Sequence, residues 1–161
     1  MQGPATQIRQ ELGALRSLAG ALSIGAGFLH LLYAPVHFEG ASEVGFFFVI
    51  VGVDQIAAGL LLLLGISTLP LMLATLGGTL AVIVIYIATR TTGLPLGPTA
   101  GQTEPLGFFD GLITALEALV VLVLCYLLGA ARIRGSTELD APSTDTPDRA
   151  PASRPATSRP R

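Results

Sequence analysis

Residues 17–36 read SLAGALSIGAGFLHLLYAPV, an apolar run that carries one histidine, His30. A helix needs about 20 such residues to cross the hydrocarbon core of a bilayer. Three further apolar runs follow, at residues 44–65, 68–89 and 106–131. The stretch therefore predicts the first span of an all-α membrane protein, a four-transmembrane-helix bundle with up-down-up-down topology.

The composition of the 161-residue chain fits this class. Hydrophobic residues make up 51% of it and charged residues 12%, whereas a soluble domain carries about 25% charged residues. The net charge of −2 gives no sign of a nucleic-acid-binding surface. Because the apolar runs are long enough to span a membrane, we expect the lipid bilayer as the partner. Small residues at Gly52, Ala58 and Gly59 would also allow a homo-oligomer through Gly-rich helix faces.

The four-helix transmembrane domain is predicted to comprise residues 17–134. The segments on either side of it are polar. Residues 1–16 are expected to form a cytoplasmic N-terminal segment. Residues 135–161 are rich in proline, serine and threonine, and such a segment buries too little apolar surface to offset the entropy of ordering. We therefore predict a disordered cytoplasmic tail there.

Arginine placement predicts the orientation of the spans. Loops that stay in the cytoplasm carry an excess of arginine and lysine. The two terminal flanks hold four arginines close to the spans, whereas the connections on the other side hold Arg90 alone: Arg9, Arg16, Arg132 and Arg134 are the flanking four. We expect a multi-pass protein of the plasma membrane with both termini in the cytoplasm.

Ionisable residues occur near the middle of the spans. His30, Asp54 and Glu117 lie at similar depth, with Gln55 and Thr79 beside them. An acid at mid-helix costs about 2.5–3.5 kcal/mol on insertion, and no lysine or arginine lies at that depth. The acids must therefore be protonated, paired with a protonated His30, or holding a cation. His30, Asp54 and Glu117 are the candidate metal ligands, and a transition metal ion is one cofactor that they would suit.

A second polar layer lies nearer the outer ends of the spans. Its members are candidates for the rim of the site: His37, Glu39, Tyr86, Arg90 and Asp110. The Gly/Pro-rich loop after Arg90 could cover this layer, because its prolines fix the backbone. Residues 46–48, three phenylalanines at the same level, are expected to anchor the second span in the lipid interface.

Two stretches carry a resemblance to known proteins. They are His30 with the His37-Phe38-Glu39 exit from the first span, and residues 89–98, TRTTGLPLGP. With these, most of residues 17–131 resembles the small uncharacterised four-span integral membrane proteins of high-GC Gram-positive (actinobacterial-type) bacteria. The resemblance implies a four-helix fold in a bacterial plasma membrane, and it implies no activity, cofactor or site residue.

Three functions remain open at this point. The first is a buried His/carboxylate site, open to the outer face, that binds a cation, a metal or a small ligand. The second is proton or cation transport or relay by an oligomer. The third is an accessory membrane protein whose polar residues only specify helix packing. The sequence contains no Ser-centred nucleophile elbow and no phosphate-binding loop, which disfavours a hydrolytic enzyme.

Overall fold

The computed structural model describes residues 3–95 and 100–139 of the chain. Within these ranges the chain forms four α-helices: α1 (Pro4–Gly40), α2 (Ser42–Leu63), α3 (Leu69–Thr91) and α4 (Phe108–Leu139). Each contains a segment long and apolar enough to cross a bilayer. The all-α, four-helix membrane fold predicted from the apolar runs is therefore confirmed.

The first and last helices are longer than the apolar runs that predict them. α1 starts at Pro4, where the missing N–H of proline costs no helical hydrogen bond, so most of residues 1–16 belongs to the first helix. The predicted tail begins at residue 135, but α4 continues to Leu139. The rest of that tail lies outside the described residues.

Helices α1 and α2 cross at glycines. A Cβ built on Gly27 would lie 2.6 Å from the carbonyl oxygen of Gly52, and one built on Gly59 would lie 2.6 Å from that of Gly20. Only residues without a Cβ allow the two backbones to approach this closely. The Gly-rich face of α2 is thus covered by α1 of the same chain, and an oligomer through that face would have to displace α1.

Helices α2 and α3 follow each other in the chain but hardly touch. Helix α1 packs against α2 and α4, and α3 packs against α4. The turn between α2 and α3 is well formed: Gly65 has φ +90°, and the amide of Ile66 bonds to the carbonyl of Leu61, a C-terminal glycine cap. The gap between the two helices, here called the α2–α3 seam, therefore does not come from the turn. It arises because α2 packs against α1, whereas α3 packs against α4.

The apolar core and the larger cavity lie at opposite ends of the bundle. The end with both terminal flanks holds the apolar core: Ala19, Leu62, Met72, Val120, Leu124 and Leu127. The opposite end, here called the loop end, carries the α1–α2 connection at Ala41 and the segment between α3 and α4. A cavity occupies the loop end, and buried polar side chains lie between it and the apolar core.

Candidate functional site

Glu117 joins three helices at the middle of the bundle. Its carboxylate is 1% exposed. The Glu117 Oε1 atom accepts a hydrogen bond of 2.7 Å from Nε2 of Gln55 and lies 3.1 Å from Nε2 of His30. These contacts tie α4 to α2 and α1 through one oxygen atom. We call His30, Gln55 and Glu117 the buried triad.

Each member of the buried triad keeps one polar atom without a partner. His30 Nδ1, Gln55 Oε1 and Glu117 Oε2 are buried and make no hydrogen bond to any described residue. When a neutral His30 donates through Nε2, all three of these atoms are acceptors. Within the described ranges, His30 is the only ion-pair partner of Glu117. The triad is therefore short of hydrogen-bond donors and of positive charge.

A cavity of about 300 Å³ extends from the triad towards the loop end. We call it the loop-end cavity. Its inner end is bounded by His30 and Glu117, and its walls are mostly apolar: Phe47, Phe48, Val82, Ile85, Leu94 and Ile113. This volume lies at the lower end of the range for small-molecule pockets, about 300–1,000 Å³.

The charged residues that line the loop-end cavity are mostly acidic. They are four carboxylates and one guanidinium: Glu43, Glu104, Asp110, Glu117 and Arg90. Charges in a concave, low-dielectric site act together on whatever enters it. The cavity therefore favours a positively charged ligand over an anionic one.

Arg90 lines the cavity near its loop end. It donates from Nη1 to Glu104 at 2.5 Å and from Nη2 to Asp110 at 2.7 Å. The guanidinium carbon also lies 4.8 Å from the ring centroid of Tyr86. One side chain thus joins α3 to the following loop and to the first turn of α4. Its single positive charge is shared between two acids, so the three groups together keep one net negative charge.

Phe48 separates the two histidines. The centroid of its ring lies 3.8 Å from that of His37, with the ring planes tilted by 31°, and 5.0 Å from that of His30 in a T-shaped contact. Phe48 also lines the cavity. The expectation that residues 46–48 anchor α2 in the lipid interface is therefore wrong for Phe47 and Phe48, which line the cavity, whereas Phe46 is 60% exposed.

The structure brings some of the predicted site residues together and separates others. His37, Tyr86, Arg90 and Asp110 line the loop-end cavity with His30 and Glu117, whereas Glu39 is exposed outside it. Asp54 is exposed in the α2–α3 seam and has no contact with Glu117 in the hydrogen-bond network. Within residues 3–95 and 100–139, no three His, Cys, Asp or Glu side chains are grouped to hold a metal ion.

Gln55 takes the place beside Glu117 that the sequence suggested for Asp54. A signal for this was present in α2. Gln55 lies three residues after Gly52 and four before Gly59, so these residues share one helical face. Since the two glycines contact α1, that face points into the bundle, and Asp54 is rotated about 100° away from it.

Comparison with known proteins finds no similarity to this chain: no protein-family model, no curated protein and no solved structure matches it.

Proposed function

We propose that this protein binds a small organic cation with an apolar body in the loop-end cavity. The observation that carries the proposal is the lining of that cavity. Its walls are apolar, its charged groups are four carboxylates and one guanidinium, and Arg90 is already engaged by Glu104 and Asp110. Glu117, at the inner end, provides the countercharge.

Electrostatics and desolvation favour this ligand class. A buried carboxylate without a fixed positive partner gains energy when a cation approaches, because charges interact strongly where water is excluded. A fully hydrated metal ion gains little from walls such as Phe47, Phe48 and Ile85. A ligand with an ammonium group on an apolar body can pair with the carboxylate and also pack against the apolar walls. Aromatic rings in the walls attract cations as well.

The loop end is proposed to face outward. Arg9 and Arg16 flank one end of the bundle, together with Arg132, and Arg90 is alone at the other. The positive-inside rule then places the termini in the cytoplasm. Combined with the resemblance to bacterial four-span proteins, this supports a plasma-membrane protein that takes its ligand from the outer side.

Binding of 2-phenylethylammonium to the protein in lipid nanodiscs tests the proposal. We expect Glu117→Gln to weaken binding at least tenfold, which corresponds to about 1.4 kcal/mol. This change removes one charge and keeps the shape of the side chain. Isothermal titration calorimetry gives the dissociation constants.

The matched control is Glu39→Gln, which removes the same charge from α1 outside the cavity. We expect this variant to bind like the wild type. Equal affinity of the wild type and Glu117→Gln, or an equal loss in both variants, would contradict the proposal.

A purely structural role is the second candidate, and the buried triad favours it. Polar residues that bond across helices stabilise a membrane bundle by about 0.6–2 kcal/mol, and Glu117 links α4 to both α1 and α2. In that case Glu117→Gln lowers thermal stability and no organic cation binds to the wild type. The titration above therefore separates the two candidates.

A further inference from the structure

A second cavity lies in the α2–α3 seam, at the middle of the bundle. It has a volume of about 170 Å³, and we call it the seam cavity. Its polar lining comes from Asp54 and Gln55 on α2 and from Thr75 and Thr79 on α3. We propose that this cavity binds a monovalent metal ion, Na⁺, through Asp54 together with Gln55 and Thr79. This goes beyond the organic-cation site and does not rest on it.

Asp54 is a carboxylate at membrane depth without a partner. It lies near the centre of α2, which spans Ser42–Leu63, and no described residue bonds to it or pairs with it. An ionised side chain at this depth is costly and normally pairs with another group or marks an ion path. A bound cation would neutralise it.

Gln55 gives independent support for a ligand in the seam cavity. The side chain is 5% exposed. Its Nε2 atom is committed to Glu117, which fixes the orientation of the amide, and its Oε1 atom has no partner among the described residues. A buried acceptor left unpaired costs free energy, and a cation in the seam cavity would compensate it.

The donor set suits a small hard ion. Carboxylate, amide and hydroxyl oxygens are the ligands that hard cations prefer. A single Asp54 carboxylate is neutralised by one positive charge, whereas a divalent ion would leave a net positive charge at the membrane centre. Since the oxygens come from both α2 and α3, the ion would also bridge two helices that hardly touch.

Thermal unfolding in nanodiscs at constant ionic strength tests the site, with Na⁺ exchanged for Cs⁺. Binding to the folded state stabilises it by RT ln(1 + c/Kd), where c is the free ligand concentration, and this keeps growing with the logarithm of c above Kd. We expect the unfolding temperature of the wild type to rise by several degrees with Na⁺ in this logarithmic way. Asp54→Asn should abolish the rise, and Thr79→Val should need at least fivefold more Na⁺ for an equal rise.

Glu39→Gln is the control, since it removes one exposed carboxylate from α1 and leaves the lining of both cavities unchanged. We expect it to retain the response to Na⁺. An equal response to Cs⁺ and Na⁺, or a full response in both Asp54→Asn and Thr79→Val, would overturn the proposal. If Asp54→Asn does not fold, the Na⁺ concentration that Thr79→Val needs for an equal rise decides alone.

Discussion

Replacing Gly27 with leucine should break the contact between α1 and α2. A Cβ at this position would lie 2.6 Å from the backbone oxygen of Gly52 and 2.9 Å from Cγ1 of Ile56. A backbone oxygen in a packed helix cannot rotate away, so the whole crossing must separate. Overpacking costs about 1–3 kcal/mol where side chains can adjust, and we expect at least about 3 kcal/mol here because they cannot.

Denaturant unfolding of the purified protein measures this loss. Folded proteins typically have a free energy of unfolding of about 5–15 kcal/mol. A loss of this size should therefore make the variant unfold at a clearly lower denaturant concentration. Gly77→Leu is the matched control, because a Cβ at Gly77 meets nothing within 4 Å. Equal stability of the two leucine variants would contradict the crossing described for α1 and α2.

Arg90→Gln should open the loop end of the bundle. The Arg90 side chain is 10% exposed, and it bonds to Glu104 and Asp110 together. Removing Arg90 leaves Asp110, which is 18% exposed, without its charged partner, whereas Glu104, at 42% exposed, stays solvated. The loss is therefore smaller than for a fully buried pair. We expect a loss of about 2 kcal/mol in unfolding free energy and faster proteolysis between α3 and α4.

Arg9→Gln serves as the control for Arg90→Gln, since Arg9 is exposed on α1. Surface substitutions of this kind change the free energy of unfolding by no more than about 0.5 kcal/mol. Limited proteolysis with mass analysis locates the first cut. An unchanged cleavage pattern in Arg90→Gln would show that Arg90 does not hold the loop end closed.

Hydropathy alone predicts the fold, because about 20 consecutive apolar residues have few alternatives to a membrane span. It does not predict where α1 begins or where α4 ends. Polar residues 4–16 continue the first helix, and hydropathy carries no information about a helix that extends beyond the apolar run. Pro35 also lies inside α1 without ending it.

The candidate site is only partly predictable from residue type and depth. These place His30 and Glu117 near each other, as the structure does. They do not distinguish Asp54 from Gln55, which differ by one position, because the choice depends on helical phase. That phase is set by the glycines that contact α1. The position of Phe48 between His30 and His37 depends on the same phase.

We propose that the loop-end cavity selects a positive charge through Glu117. Titration of the wild-type protein with 2-phenylethylammonium and with its neutral analogue 2-phenylethanol tests this most directly, since the two ligands share one shape. We predict that the ammonium ligand binds at least tenfold more tightly, and that Glu117→Gln removes most of this difference. Equal binding of the two ligands to the wild type would contradict the claim.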